Sequence, residues 1–122
     1  MILLFVKIFI YKLFYYLGFP KILPLNYTFS LLYSCNSACS TCRIYNRKSF
    51  DLTLAEYKKI FQNLGKSPYW ATFSGGEPFL RKEISQIITT FYTICRPKVI
   101  NIPTNGILTD KIVRNVRTIC EK

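Results

Sequence analysis

The chain has 122 residues, which is enough for one domain and too short for two of ordinary size. Half of the residues are apolar and 16% are aromatic, so a packed core is expected and global disorder is disfavoured. The sequence contains no histidine, which excludes His-ligated zinc and the Ser–His and Cys–His nucleophile pairs. Any chemistry must therefore depend on cysteine, carboxylate, hydroxyl or amide groups, or on a bound cofactor.

The net charge is +11, from 17 basic and 6 acidic residues. Such a charge favours binding to an anionic membrane surface, a nucleic acid or a phosphorylated substrate. The alternative is a basic protein surface without a particular partner. The basic residues are spread along the chain, and no nucleic-acid-binding motif accompanies them. The odd number of cysteines, five, and the lack of a cleavable signal favour a reducing compartment, so we expect a cytoplasmic protein.

The first predicted element is an apolar helix over residues 1–20. Residues Met1–Phe19 are almost wholly apolar apart from Lys7 and Lys12, and Pro20 follows them. Such a helix could just span a hydrocarbon core of about 30 Å, but each lysine would cost about 2.5–3.5 kcal/mol at its centre. Three alternatives stay open for residues 1–19: attachment to a membrane surface, packing against a partner, or a true span.

From Leu25 onward, strand and helix patterns alternate. Leu25–Tyr33 is predicted to be a buried strand, and a helix is predicted to begin at Thr53, with a capping box to Glu56, and to end at Gly65. The remaining elements are predicted as a strand over 69–73, a helix over 81–95, a strand over 99–103 and a helix over 109–120.

Apolar stripes on the last two helices support this assignment. The earlier helix is expected to bury five side chains: Ile84, Ile87, Ile88, Phe91 and Cys95. The later helix has a stripe at helical spacing: Ile112, Val113, Val116 and Cys120. On such stripes a cysteine is commonly a small buried hydrophobe, which is one interpretation of Cys95 and Cys120. The alternative is that they help to complete a zinc site.

The order β-α-β-α-β-α predicts an α/β fold with a parallel sheet and helices packed against it. In such folds ligands bind at the carboxyl ends of the strands. A cysteine- or glycine-rich segment follows each predicted strand. We therefore expect these three segments to meet at one edge of the sheet.

The segment after the first strand contains Cys35, Cys39 and Cys42 in a C-x3-C-x2-C arrangement, within a loop predicted over 34–50. Three thiolates at this spacing can bind three irons of a [4Fe–4S] cluster and leave the fourth iron open to a ligand. Zinc is an alternative, although structural zinc usually has four closed ligands and no histidine is present to complete a set. Unliganded thiols are the third alternative.

The segments after the second and third strands are rich in glycine. Gly75, Gly76 and Glu77 precede Pro78, and such a turn lets a ligand contact the backbone, where carbonyl oxygens and a carboxylate suit an ammonium group. A plain tight turn is the alternative interpretation. The segment 104–106, Thr-Asn-Gly, is a common turn sequence by itself.

Together, CxxxCxxC, GGEP and TNG, in this order and each after a strand, resemble the radical S-adenosylmethionine (SAM) superfamily over residues 25–122. The resemblance implies that Cys35, Cys39 and Cys42 bind a [4Fe–4S] cluster whose open iron chelates SAM. It also assigns Gly75, Gly76 and Glu77 to the SAM amino group. In the same way, Thr104 and Asn105 would line the SAM and substrate pocket.

The resemblance also implies an activity and its partners. One electron, from a donor such as flavodoxin or ferredoxin, would cleave SAM to methionine and a 5′-deoxyadenosyl radical, which abstracts hydrogen from an unidentified substrate. The residue before the third cysteine is often aromatic in this family and holds the adenine. Here that residue is Thr41, which has no aromatic ring. The contact with adenine would then be made by the backbone of Thr41 or by the nearby Tyr45.

The family core resembles a partial (β/α)6 barrel, of which three βα units, preceded by the apolar helix, are expected here. These units correspond to the N-terminal half of the barrel, and a C-terminal half is expected as a further partner. The alternatives to a radical SAM enzyme are an iron–sulfur binding module and an inactive membrane-associated fragment, both lacking a complete SAM site. Residues with a catalytic role and the substrate are not readable from the sequence.

Overall fold

A computed structural model describes residues 2–19, 22–47 and 50–121 of the chain. Parts of three predictions lie outside the described residues: the ends of the N-terminal helix at Met1 and Pro20, the loop positions Lys48 and Ser49, and the last domain residue, Lys122. The described helices are α1 (Ile2–Leu17), α2 (Leu54–Leu64), α3 (Ile84–Cys95) and α4 (Thr109–Cys120). The described strands are β1 (Asn26–Ser30), β2 (Trp70–Ser74) and β3 (Val99–Asn101).

The three strands form one open parallel sheet in the order β1-β2-β3. In the register of the sheet, Thr28 lies beside Thr72, which lies beside Asn101. The predicted α/β class with a parallel sheet is therefore confirmed. Because the strands are parallel, the segments that follow them leave the sheet at the same edge.

The core lies between the sheet and helices α2 and α3. Phe29 of β1 and Phe73 of β2 stack with ring centroids 4.9 Å apart, and both rings also contact Phe61 of α2 and Phe91 of α3. Such aromatic pairs contribute about 0.5–1.5 kcal/mol each beyond the burial of their area. Four aromatic side chains thus fix the helices on one face of the sheet.

The prediction that Leu25–Tyr33 is a buried strand is wrong in two respects. β1 is shorter and lies at the sheet edge, and its residues alternate between exposed and half-buried because only one face packs on the helices. The buried residues of this segment, Leu31 and Leu32, follow the strand and lie under the turn after β2.

The capping box is confirmed: the Thr53 side chain accepts from the backbone of Glu56, and the Glu56 carboxylate accepts from the backbone of Thr53. By contrast, α3 begins at Ile84 rather than near residue 81, because Pro78–Leu80 forms a separate 3-10 helix. The predicted stripe of α3, including Cys95, is fully buried.

The expectation that Cys120 is a buried hydrophobe is wrong. Cys120 is exposed, as are Val113 and Val116 of the same predicted stripe. Instead, α4 packs on the core through Ile112 and Ile119, which are half-buried. The apolar residues of α4 therefore cover more of the helix surface than the part that packs against the core.

The predicted apolar helix is present as α1, but it ends at Leu17 rather than near residue 20. It contacts the segment before β1, where the Tyr11 hydroxyl donates to the backbone carbonyl of Leu23 at 3.1 Å. Across the part of the chain that the structure describes, no helix has both the length and the apolar character needed to cross a membrane.

Candidate functional site

The segments that follow β1, β2 and β3 line one cavity of about 310 Å3 at the carboxyl edge of the sheet. They supply eight of the nine residues named from the sequence: Cys35, Cys39, Cys42, Gly75, Gly76, Glu77, Thr104 and Asn105. The structure therefore brings together three segments that are separated by up to about 70 residues in the chain. This meeting follows from the parallel order of the strands.

The turn after β2 (residues 75–77) packs directly on the backbone of the segment that follows β1 and contains Cys35, Cys39 and Cys42, here called the cysteine segment. A Cβ at Gly75 would lie 2.3 Å from the carbonyl oxygen of Leu32, and one at Gly76 would lie 1.9 Å from that of Ser34. The N–H of Gly76 donates to Leu32 at 2.8 Å, and the N–H of Glu77 donates to Ser34 at 3.0 Å. Both glycines are thus required by the close approach of two backbones.

The carboxylate of Glu77 is buried, with 1% of the residue exposed, and both of its oxygens accept hydrogen bonds from the protein. Its Oε1 accepts from the Phe79 N–H at 3.1 Å and from the Thr104 hydroxyl at 2.9 Å, and its Oε2 accepts from the Asn105 N–H at 2.8 Å. Glu77 therefore joins the turn after β2 to the turn after β3. A ligand in the cavity meets the backbone of this turn more readily than its carboxylate.

Asn105 extends this network to the cysteine segment. Its side-chain N–H donates to the side-chain oxygen of Asn36 at 2.8 Å, which joins segments 69 residues apart. Its side-chain oxygen accepts from the N–H of Ile107 at 3.0 Å. A continuous set of hydrogen bonds thus runs from Glu77 through Asn105 to the residue beside Cys35.

The three cysteines of this segment differ in accessibility. Cys35 is half-buried, whereas Cys39 and Cys42 are exposed, and all three are free thiols. The Cys39 sulfur lies 3.2 Å from the hydroxyl oxygen of Ser37. Within residues 2–19, 22–47 and 50–121, the structure shows no group of three or more His, Cys, Asp and Glu side chains arranged to hold a metal ion.

The donors nevertheless fit an iron–sulfur cluster in their chemistry. Three free thiols at C-x3-C-x2-C spacing lie on one short segment and line one cavity, and two of them are open to solvent. Cys39 and Cys42 lie on a turn in which the Arg43 N–H donates to the carbonyl of Cys39 at 3.3 Å. Binding of a cluster would therefore require this exposed turn to rearrange.

Thr41 is the one predicted site residue that does not line the cavity. It is exposed on the turn between Cys39 and Cys42, and Tyr45, in the 3-10 helix that follows, is also exposed. Asn36 and Ser37 also belong to the site, although neither was predicted as a site residue. Their position between the first two cysteines was the available signal, but their partners became visible only in three dimensions.

Arg81 anchors the exit of the cysteine segment. Its guanidinium is largely buried, donates to the backbone carbonyl of Leu52, and forms ion pairs with Asp51 at 3.4 Å and Glu83 at 2.8 Å. Its Nε is buried with no hydrogen-bond partner in the described structure. Both ends of the cysteine segment are therefore held: one by the turn after β2 and the other by Arg81.

The two remaining cysteines lie away from the cavity. Cys95 is buried under α2, where its thiol lies 3.5 Å from the carbonyl oxygen of Phe61, and burial raises its pKa to about 11. Cys120 lies at the end of α4. Neither belongs to the set of thiols that surrounds the candidate site.

No protein-family model matches this chain, and no curated protein matches it.

Proposed function

We propose that the chain forms the cofactor-binding part of a radical SAM enzyme, which holds a [4Fe–4S] cluster through Cys35, Cys39 and Cys42 and binds SAM beside it. The observation that supports this proposal is the meeting of the CxxxCxxC, GGEP and TNG segments around one cavity at the carboxyl edge of a parallel sheet. Each motif alone is weak, but their order and their meeting point match the family layout. When bound, the cluster would pass one electron from a reduced donor protein to SAM, whose cleavage gives methionine and a 5′-deoxyadenosyl radical.

We also propose that the sheet belongs to a partial (β/α)6 barrel. The sheet face opposite the helices is mostly polar and includes Thr28, Thr72 and Asn101 in one row, with Ser30 beside Ser74 at the carboxyl edge. A sheet covered by helices on both faces would instead have apolar side chains on each face. A polar inner face suits a barrel whose interior receives a polar substrate.

In this proposal the turn after β2 binds the amino group of SAM through its backbone. The N–H groups of Gly76 and Glu77 already donate to the protein, whereas the carbonyl oxygens of Gly75 and Gly76 accept no hydrogen bond from the described residues. Carbonyl oxygens accept hydrogen bonds from an ammonium group. Glu77 then acts as a positioning residue, because its carboxylate holds Thr104 and Asn105 at the cavity.

The proposal is tested by anaerobic reconstitution of the full chain with iron and sulfide. We expect about four irons and four sulfides per chain, and a broad visible charge-transfer absorbance, through the three thiolates of the loop. Replacing Cys35, Cys39 and Cys42 together by alanine should abolish both. The matched control is Cys120→Ala, which removes an exposed thiol outside the site and should leave the iron content unchanged.

SAM binding separates the proposed enzyme from its alternatives. Reconstituted protein should bind SAM, as measured by equilibrium dialysis. A chain that keeps its cluster but binds no SAM would be an iron–sulfur module. Retention of iron by the triple alanine variant, or quantitative replacement of iron by zinc, would show that the cluster assignment is wrong.

A further inference from the structure

Helix α1 presents its apolar side to solvent. Its half-buried residues, Lys7, Ile10, Tyr11 and Phe14, recur at helical spacing and include a lysine. The opposite stripe is exposed and aromatic apart from Lys12: Phe5 is 64% exposed, Phe9 68% and Tyr16 78%. A surface helix of a globular domain normally has the reverse arrangement, with polar residues facing water.

The position of α1 fixes where this apolar surface lies. The helix borders a cavity of about 330 Å3 beside Leu25, which precedes β1, and Ser67, which precedes β2. Both residues belong to the amino edge of the sheet. The apolar surface therefore lies at the edge opposite the cavity that the cysteines line.

Charge is also divided between the two edges of the sheet. Acidic residues concentrate at the carboxyl edge, where α2, α3 and α4 begin and where the site lies: Asp51, Glu56, Glu77, Glu83 and Asp110. Four basic residues lie at the amino edge, near the ends of α2, α3 and α4: Lys66, Arg96, Lys98 and Arg117. One acidic residue, Glu121, lies there as well. Basic residues also lie near the carboxyl edge, where five of them balance the acidic residues of that edge, so the excess of positive charge is on the amino edge: Arg43, Arg47, Arg81, Lys82 and Lys111.

We infer that α1 and the amino edge of the sheet dock on an anionic phospholipid surface. The outward side chains of α1 would enter the boundary between headgroups and acyl chains, while the basic residues meet anionic headgroups. Tyr15 and Tyr16, both exposed near the end of α1, are of the type that is enriched at this boundary. A second copy of the chain is a poorer occupant, because it carries the same charge of +11 and would repel the first.

This arrangement has a consequence for the candidate site. With the amino edge on the membrane, the carboxyl edge and the cavity lined by Cys35, Glu77 and Asn105 face away from it. A soluble substrate and an electron donor can then approach without crossing lipid. The inference is independent of the proposed activity, because it depends only on α1 and the charges of the amino edge.

The test uses the full chain and flotation with phosphatidylcholine vesicles that contain or lack phosphatidylglycerol. We expect binding to the anionic vesicles, weaker binding to the neutral ones, and release as the salt concentration rises. Phe9→Ser should weaken binding by about tenfold or more, because an inserted aromatic side chain returns to water. The matched control is Phe50→Ser, which changes a fully exposed phenylalanine in the segment that leads to the carboxyl edge.

A second pair of variants tests the charges without changing α1. Replacing Lys66 and Lys98 together by glutamine should weaken binding to anionic vesicles by about fivefold for each lysine. Lys82→Gln, at the carboxyl edge, should leave binding unchanged. Three results would overturn the inference. The chain could bind neutral and anionic vesicles equally, or Phe50→Ser could weaken binding as much as Phe9→Ser does. The chain could also bind no vesicles and instead self-associate in a way that Phe9→Ser abolishes.

Discussion

The carboxylate of Glu77 accepts a hydrogen bond from the backbone N–H of Asn105 at 2.8 Å, although the two residues are 28 positions apart. The contact crosses from the turn after β2 to the turn after β3. Because Glu77 is almost completely buried, the bond is protected from competing water. Glu77 thus orders the candidate site before any ligand arrives, which lowers the entropy cost of binding.

Glu77→Gln should destabilise the fold although it preserves the shape of the side chain. Oε1 accepts from Phe79 and Thr104, and Oε2 accepts from Asn105, so either orientation of the amide turns its NH2 group toward a backbone N–H. An unsatisfied buried donor costs about 1–3 kcal/mol. Urea unfolding followed by circular dichroism measures the loss.

The control for this variant is Glu121→Gln, which makes the same chemical change on an exposed residue after α4. It should unfold at the urea concentration of the unmodified chain. If Glu77→Gln also unfolds there, the carboxylate does not organise the turns. A loss of SAM affinity at unchanged iron content would further identify Glu77 as a positioning residue of the SAM site rather than of the cluster.

Gly76→Ala should disrupt the packing of the turn after β2 on the cysteine segment. The new Cβ would lie 1.9 Å from the carbonyl oxygen of Ser34, and neither backbone can move without breaking the hydrogen bond from Glu77 to Ser34. Overpacking of this kind costs about 1–3 kcal/mol and occasionally more. We expect a loss near the upper end, measured as a reduced free energy of unfolding and a lower yield of reconstituted cluster.

Gly106→Ala is the matched control for this substitution. Gly106 has a positive φ of 77°, but an added Cβ meets no atom within 4 Å, so only the backbone conformation opposes alanine. That conformation costs about 1–2 kcal/mol for a residue with a side chain. Equal losses in the two variants would show that contact between the two backbones does not explain the requirement for glycine at residue 76.

The sequence predicted well those features that depend on neighbouring residues. The capping box of Thr53 and Glu56, the bounds of α4 and the buried stripe of α3 all follow from local patterns. The meeting of the three motifs also followed, because a parallel sheet places the ends of its strands at one edge. Each of these predictions uses only spacing along the chain and the geometry of regular elements.

Features that depend on distant partners could not be predicted in this way. The side chain of Glu77 was assigned to a ligand because its partners, Thr104 and Asn105, lie far along the chain. Cys95 and Cys120 have similar sequence surroundings, yet Cys95 is buried against α2 and Cys120 is exposed. The start of α3 was misplaced because Pro78 and the cap from Glu77 form a separate turn first.

The five thiols should differ sharply in their reactivity with iodoacetamide. The thiolate is the nucleophile, so burial and a pKa of about 11 protect Cys95 at mildly alkaline pH, whereas the exposed Cys39, Cys42 and Cys120 react. Mass spectrometry of proteolytic peptides gives the extent of modification at each position. Cys95 should react only after unfolding, and modification of Cys95 in the native chain would contradict its burial.

The same measurement tests cluster binding without assaying activity. After anaerobic reconstitution with iron and sulfide, Cys39 and Cys42 should become protected because their thiolates are bound to iron. Cys120 serves as the internal control, since it is also exposed and lies outside the candidate site. Protection of all three would indicate aggregation, and protection of none would show that iron is held elsewhere.

The capping box at the start of α2 should make stability depend on pH. Hydrogen bonds from the backbone and then the side chain of Thr53 lower the pKa of Glu56 below its ordinary value of 4.5. A carboxyl group whose pKa is lower in the folded state contributes stability above its unfolded pKa, and that contribution is lost as the pH falls through the folded value. Glu56→Gln should therefore lower the melting temperature at neutral pH and have little effect well below pH 4.5. Melting of both proteins by circular dichroism across this range measures the difference, with Glu121→Gln as the control for loss of an exposed charge. A difference that stays constant across the range would show that the ionised carboxylate does not stabilise the start of α2.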